Sequence, residues 1–491
     1  MYTIDISKPV HAHFIGIGGT SMSGLAEYLL RKGFTVTGSD SAHSKYTLHL
    51  EEMGIRVGYP QKADNIPEDT DVVVYSAAIH PGNPEYDAAV ERGIPMMNRA
   101  ELLGQLMRLY RHAINISGTH GKTTTTAMVT NILIRAGLDP TVEIGGILDD
   151  IGGNMRMGGD EEYFVAEACE YTNSYHSFFP TTAVILNVEE DHLDFFKDLD
   201  DIRHSFRRFV ELLPEGGTLV IHGGIRDVGY FSEGLPIKVL TFSAEEVPGG
   251  TVQAAEADGT GAAAGAVPAD YMAKDVHLDD YARASFYLYE KGAPVGRFKL
   301  GVPGEHNVQN ALAAIACARS LGVGWDQITP ALEAYHGAQR RFDRRGTVNG
   351  FTVMDDYAHN PQEEDAVLRT LAKMPHRQIW ALHQPHTFSR TARMMEPFAE
   401  VLSKTDNIVV MDIFPARETN TIGVKAETLV EKIREKNPNV WYCPTFDDVE
   451  EFIMDHAQPG DIVITLGCGN ANILSDRLVE KYGKKTDPLN L

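Results

Sequence analysis

The sequence predicts an α/β protein in which strand–helix alternation runs through three successive regions separated by two hinges. Three observations carry this. Apolar runs of strand length recur along the chain and end in small, acidic or amide residues, as strands do at the carboxyl edge of a doubly wound sheet. Two strand-to-helix turns are glycine-rich, at 16–24 and 118–124. The alternation is broken near Arg111 and again at Arg340-Arg341-Phe342-Asp343. At 491 residues the chain is also too long for one hydrophobic core.

Residues 10–17 read as a buried strand that empties into Gly16-Ile17-Gly18-Gly19-Thr20-Ser21. A helix follows to about Lys32, and 34–38 form the next strand, ending at Ser39-Asp40. This βαβ unit has an acid about 20 positions past the glycines, as dinucleotide-binding folds do. Ser21 replaces the third glycine of that fingerprint. The spacing fits NAD(P) and a nucleotide-sugar diphosphate equally, or glycines that only pack a tight turn. Residues 71–79 form a strand whose small-residue end, at Ser76, reaches the crevice. Arg99-Ala100-Glu101 opens another helix.

The second region begins with Ile114-Asn115-Ile116-Ser117 and the loop Gly118-Thr119-His120-Gly121-Lys122-Thr123-Thr124, followed by a helix. Backbone N–H groups at a helix N-terminus attract an anion; Lys122 adds a point charge, and a Thr hydroxyl can sit on Mg²⁺. Two residues, where the Walker pattern has four, separate Gly118 from Gly121. We read a site for nucleotide phosphates. Strands at 163–170 and 182–188 empty into Glu167 and Glu170, and into the acidic run before His192. Strand ends on that edge place Glu167 and His192 where a metal on a bound triphosphate would sit, although hard cations prefer oxygen.

Residues 247–270 are Gly/Ala-rich and read as a surface insertion with no catalytic part. A hairpin is expected around Lys291-Gly292. A loop then enters an Ala-rich helix with Asn307 and Asn310 on one face, suited to reading a base edge or to capping the helix. In the third region, strands at 351–356, 378–383, 407–411 and 461–466 deliver Asp356 and His359, His386 and Arg390, 412–418, and 467–470. Four such ends on one edge argue for a ligand crevice.

The formal charge of −24 opposes binding to nucleic acid or anionic membranes. No run approaches the ~20 apolar residues of a membrane span, and no secretory signal is expected. Four scattered cysteines suit reduced thiols and a cytoplasmic protein.

Taken together, HFIGIGGTSMSGLAEYLL (13–30), TGSD (37–40), GTHGKTTTT (118–126), VAEACE (165–170), LNVEEDHLD (186–194), GEHNVQNALAA (304–314), RRFD (340–343), DDYAHNP (355–361), QPHTFSRT (384–391) and DIFPARE (412–418) resemble the Mur ligase family. The resemblance implies a Rossmann-like domain for a UDP-sugar at 1–111, a central P-loop ATPase-type domain at 112–338, and a doubly wound amino-acid domain at 339–491. It implies an ATP- and Mg²⁺-dependent amide ligase of peptidoglycan precursor synthesis, joining L-alanine to the lactyl carboxylate of UDP-N-acetylmuramate through an acyl phosphate. A sister ligase adding another amino acid or a preformed peptide is the alternative, and a monomer or homodimer is expected.

The same resemblance assigns residues. Gly16, Gly18, Gly19, Thr20, Ser21, Asp40 and Ser76 would hold the UDP-sugar. Gly118, Thr119, His120, Gly121, Lys122, Thr123 and Thr124 would wrap the ATP phosphates, with Asn307 and Asn310 on adenine, Arg341 on phosphate and Asp356 on ribose. Thr123, Glu167 and His192 would ligate Mg²⁺; Lys122, His359, His386 and Arg390 would surround the reaction. Two positions depart from the pattern. Thr387 stands where some members carry an Arg, which leaves the amino-acid carboxylate to Arg390 or Arg417. Arg207 stands where others carry a carbamylated lysine. An NAD(P) oxidoreductase is opposed by Ser21 and by the second phosphate site. A non-catalytic sensor is opposed by the presence of Lys122, Thr123, Glu167 and His192.

Overall fold

The computed structural model describes residues 2–192, 195–244, 269–416 and 418–485. Nearly all of the expected 247–270 insertion, residues 193–194 and Arg417 lie outside the described residues. The chain divides into two compact units, one of residues 1–272, 289–293 and 309–331 and the other of 273–288, 294–308 and 332–491.

The first unit holds a parallel sheet of β1 (His11–Ile15), β2 (Thr35–Ser39), β3 (Arg56–Gly58), β4 (Val72–Tyr75) and β5 (Met96–Asn98). Their spatial order is β3-β2-β1-β4-β5, so the order reverses between β1 and β4. That reversal opens a crevice at the carboxyl edge, and Gly16 and Ser76 face each other across it: a Cβ on Gly16 would come 2.9 Å from the Ser76 hydroxyl. The strand expected at 71–79 stops at Tyr75, because Ser76 leaves the ladder to line this edge after its N–H bonds the Ile15 carbonyl.

The same unit continues with β6 (His112–Ser117), β7 (Thr141–Leu148), β8 (Gly153–Arg156), β9 (Tyr163–Glu167), β10 (Thr182–Ile185), β11 (Thr218–His222) and β12 (Lys238–Ala244). They lie in the order β12-β11-β10-β6-β9-β7-β8, all parallel except β8. Strand β6, which feeds the 118–121 turn, therefore runs between β9 and β10. Fully buried Phe14, Tyr28, Phe164, Tyr175, Phe206 and Phe209 belong to one core under both sheets.

Helices α1 (Thr20–Arg31), α2 (Lys45–Glu52), α3 (Pro84–Glu91), α4 (Arg99–Met107), α5 (Lys122–Arg135) and α6 (Leu199–Val210) cover these sheets. Side chains of Ser44, Asn83, Asn98 and Asp198 cap α2, α3, α4 and α6. Helices α1 and α5 begin at Gly19 and Gly121 with no side-chain cap. Orphan N–H groups at a helix start need an acceptor, and at these two starts the capping glycine has no side chain to supply one. Helix α4 is packed to the limit: a Cβ on Gly104 would lie 1.9 Å from the Ser177 carbonyl oxygen, a backbone atom that cannot yield cheaply. Gly104→Ala therefore costs about 3 kcal/mol, whereas Gly153→Ala, facing open space, is near neutral. Denaturant unfolding of the two variants checks this; equal stabilities would refute the packing argument.

Strands β13 (Tyr271–Leu278), β14 (Arg283–Glu290) and β15 (Ala293–Pro303) come next along the chain. In the second unit β16 (Asp343–Val348), β17 (Phe351–Asp356), β18 (Ile379–His383), β19 (Asn407–Val410), β20 (Val440–Tyr442), β21 (Ile462–Leu466) and β22 (Gly483–Lys485) form one sheet, in the order β20-β19-β18-β21-β17-β16-β22. Strands β17 to β21 are mutually parallel, and β16 is antiparallel to both its neighbours. The hairpin at Lys291–Gly292 joins Arg283–Glu290 to Ala293–Pro303, with both turn residues at positive φ.

Candidate active site

The first glycine loop is closed by its own acid. Gly16 and Ile17 donate to the Ser39 carbonyl at 2.9 Å, and Gly18 donates to Asp40 Oδ2 at 2.8 Å. A Cβ on Gly18 would come 2.7 Å from Thr47 and 2.9 Å from that carboxylate. Gly19 follows as the start of α1. The Thr20 carbonyl accepts from Asn154 at 2.8 Å, and the Ser21 hydroxyl accepts from Arg99 at 3.0 Å. Gly16, Gly18, Gly19, Thr20, Ser21, Asp40 and Ser76 thus lie on one edge.

The second loop turns on two glycines in the left-handed region, Gly118 at φ +146° and Gly121 at φ +86°. A side chain at either position is strained. The loop is buckled to the segment after β10. His120 N–H donates to Asn187 Oδ1 at 2.8 Å, Asn187 Nδ2 returns a bond to the His120 carbonyl at 3.1 Å, and Glu189 N–H donates to Thr119 Oγ1 at 3.0 Å. Asn310 lies over the same loop: a Cβ on Gly121 would be 2.4 Å from its Oδ1.

Lys122 Nζ donates to the Gly118 carbonyl at 2.5 Å, the Thr119 carbonyl at 3.1 Å and Glu170 at 3.0 Å. Burial opposes its charge, but Glu170 and nearby acids outweigh that and hold the ammonium well above its ordinary pKa. Nothing in the spacing of the 165–170 motif assigns Glu170 a role; only the fold sets it on Lys122, and His192 Nε2 lies 3.9 Å from it.

Glu167 ends β9, where its Oε1 accepts from Gly145 N–H at 2.7 Å. A Cβ on Gly145 would meet Glu167 at 3.0 Å, and one on Gly146 would meet Thr123 at 3.2 Å. Two glycines of β7 therefore make room beside both the Glu167 carboxylate and Thr123. The oxygen donors there suit a hard cation. Among the described residues no three His, Cys, Asp or Glu side chains are grouped to hold a metal by themselves. Arg207 is a clamp: it donates to the Tyr230 and Glu233 carbonyls at 2.7 and 2.8 Å and pairs with Glu211.

In the second unit the hinge folds onto the end of β17. Arg340 donates to Asp355 at 3.1 Å and to the Gly467 and Gly469 carbonyls at 2.6 and 3.2 Å. Both Arg340 and Arg341 stack on the Tyr357 ring, at 4.9 and 5.0 Å. Asp356 accepts Phe342 N–H at 2.6 Å and Ala358 N–H at 2.7 Å, so its carboxylate organises the loop. Burial pushes this carboxyl up to about 7, against the pull of Arg341. Asn307 donates from Nδ2 to the Pro303 carbonyl at 2.7 Å.

His359 and His386 approach with ring centroids 6.2 Å apart. Arg390 lies 3.5 Å from His386 Nδ1. Thr387 sits at φ +60°, a region costly for a residue with a Cβ, and its hydroxyl accepts Arg390 N–H to start the helix Phe388–Arg393. Gln384 and Asn470 exchange two hydrogen bonds, tying the 384–391 loop to the end of β21. No local spacing in the sequence signals this tie.

Sequence models of three domains match in order: the Mur ligase family catalytic domain over 11–111, the Mur ligase middle domain over 116–318, and the Mur ligase glutamate ligase domain over 340–469. The chain belongs to the Mur ligase family. Mur ligases similar to it include the UDP-N-acetylmuramate–L-alanine ligases of Lachnospira eligens, 49% identical over 98% of this chain and 100% of that one, and of Agathobacter rectalis, 47% identical with the same coverage. Among solved structures, the UDP-N-acetylmuramate–alanine ligase of Thermotoga maritima is 26% identical with a TM-score of 0.79, covering 96% of this chain and 99% of that one. The three-region α/β architecture expected from the sequence is that of Mur ligases, and the chain is an enzyme of this family.

Proposed function

We infer that the chain is an ATP-dependent acid–amino-acid ligase, joining L-alanine to the lactyl carboxylate of UDP-N-acetylmuramate in peptidoglycan precursor synthesis. The observation that carries this reading is near full-length identity of 47–49% to ligases of that name. The uncapped, glycine-lined start of α5 with Lys122 beside it supports the ATP half. Domain boundaries at 1–111, 112–338 and 339–491, a cytoplasmic location, and a monomer or homodimer belong to the same reading; among the described residues no helix is long and apolar enough to cross a membrane.

A carboxylate is a poor acyl donor, so ATP first phosphorylates it. In this reading 118–124 wrap the ATP phosphates, Lys122 neutralises the transferring phosphoryl group, and Arg341 and Asp356 meet the nucleotide. Asn310, placed over Gly121, and Asn307 contribute from one helix, Asn307–Ser320. Thr123 and Glu167, with His192, would hold Mg²⁺, which when bound supplies charge neutralisation on the phosphates. The loop at 16–21 with Asp40 and Ser76 takes the UDP-sugar. Phosphorylation releases ADP; His359, His386 and Arg390 then receive the amino acid, whose amine attacks the acyl phosphate to give the amide and inorganic phosphate.

The test is phosphate release from ATP and Mg²⁺ with UDP-N-acetylmuramate, scanned over amino acids and one tripeptide. Release that needs the sugar nucleotide and peaks with alanine is the expected result. Release with the tripeptide alone would move the chain to a sister ligase.

A further inference from the structure

We propose that Glu363 is the positioning residue that makes His359, and not His386, the base for the incoming amine. The inference rests on the ligase reading and narrows it to one imidazole.

His359 Nδ1 lies 3.0 Å from the Tyr357 carbonyl oxygen. A carbonyl only accepts, so Nδ1 carries the hydrogen and the neutral ring keeps its lone pair on Nε2. Glu363 Oε2 lies 3.3 Å from the same Nδ1 and accepts the His359 backbone N–H at 3.2 Å. The carboxylate is set there by the start of the helix Pro361–Ala372, where Asn360 caps Glu363 N–H at 3.0 Å. An acid behind Nδ1 orients the ring and stabilises the imidazolium formed when Nε2 takes a proton, the logic of any acid–histidine pair.

His386 has the opposite surroundings. Its Nδ1 faces Arg390, its ring stacks on Phe414 with centroids 5.8 Å apart, and burial together with Arg390 and His359 holds it at about 4, with Glu418 the opposing charge. A base that weak takes few protons at neutral pH. His359 is faced by Glu363 from its own helix start, by Arg390 from Phe388–Arg393, by Arg341 from the hinge, and by Tyr357 and His386. Burial lowers its pKa while Glu363 opposes the fall.

In the step, the alanine ammonium gives one proton to Nε2 and the freed lone pair forms the N–C bond to the acyl phosphate. The C–O bond then breaks, its electron pair leaving on inorganic phosphate, which carries away the second N–H proton.

The test is kcat/KM for alanine against pH, with ATP and sugar nucleotide saturating, alongside NMR titration of the His359 ring. Rate falls on the acid side as His359 protonates. Glu363→Gln removes the carboxylate charge, so the acidic limb and the His359 titration both move down by about one unit, and the plateau rate falls with the weaker base. Glu363→Asp restores most of the shift. His386→Gln raises KM for alanine and leaves the limb in place. A merely structural Glu363, acting as a helix cap, would lower stability and leave limb and titration unmoved, which overturns the proposal, as does a limb that moves with His386→Gln. A His359 titration that shifts in a protein showing no alanine-dependent release would overturn the ligase reading and with it the base assignment, while leaving the Glu363–His359 contact standing.

Discussion

Replacing Lys122 with alanine lowers turnover by about 10³-fold or more while leaving affinity for the sugar nucleotide within about twofold. The first figure follows from removing a preorganised positive donor at a transferring phosphoryl group. The second follows from the separate placement of the 16–21 loop, closed by Ser39 and Asp40 and touching no atom of Lys122 among its hydrogen bonds. An ammonium has three donors. Here they point at the Gly118 and Thr119 carbonyls and at Glu170, so an arriving phosphate oxygen competes with the loop's own acceptors. Lys122→Ala also leaves the Glu170 carboxylate buried without its cation, so the fold loses stability as well. Adding Glu170→Gln to the variant recovers that stability and none of the turnover. Steady-state phosphate release, calorimetric titration with UDP-N-acetylmuramate and thermal unfolding measure the three effects. Undiminished turnover in Lys122→Ala would remove the phosphate loop from the reaction.

The second large effect lies under the same sheet edge as the two histidines but concerns stability. Glu364 and His383 are both essentially excluded from solvent, with 0% and 1% of their side chains exposed. Glu364 Oε1 approaches His383 Nδ1 at 3.0 Å, while Glu364 Oε2 and His383 Nε2 are buried without a hydrogen-bond partner. The pair makes one close contact and leaves a polar atom of each partner unsatisfied, so it costs desolvation that this contact does not fully offset, while removing one partner strands the other. Phe398, Leu402, Val367 and Leu466 belong to the apolar core at this place. Breaking the pair with Glu364→Ala costs about 3–5 kcal/mol, whereas the double replacement Glu364→Leu with His383→Phe gains about 1–4 kcal/mol.

The pH dependence has a definite sign. Burial raises the Glu364 pKa, with His383 pulling against it. A carboxyl raised on folding contributes most stability below its ordinary pKa and loses that contribution as pH rises through the folded-state value. The double replacement removes that slope. Urea unfolding at pH 5 and pH 8 measures both claims; a double variant as damaged as the single one would show that the pair carries stability the geometry does not reveal.

Much of this molecule is written locally in its sequence. Strand runs that end at Gly, Ser or acid, at 10–17, 114–117 and 351–356, need only the alternation of buried apolar positions and a break in pattern. Gly118 and Gly121 are legible for the same reason, since positive φ beside a helix start is a local demand. The fold class and the glycine turn ahead of α5 therefore followed from short stretches of chain.

Only tertiary structure decided which charges meet. Glu170 stands 48 residues from Lys122, Asn187 stands 67 from His120, and Arg99 stands 78 from Ser21. Asp356 reads locally as a free strand-end acid, but the fold commits its carboxylate to two backbone N–H groups and buries it. Glu364 reads as an ordinary acid in a helix's first turn and His383 as a polar strand end; packing of that helix on β18 encloses both. Local pattern sets φ, ψ and periodicity. Burial and the identity of a charge's partner depend on what the rest of the chain brings alongside, and no stretch of sequence carries that by itself.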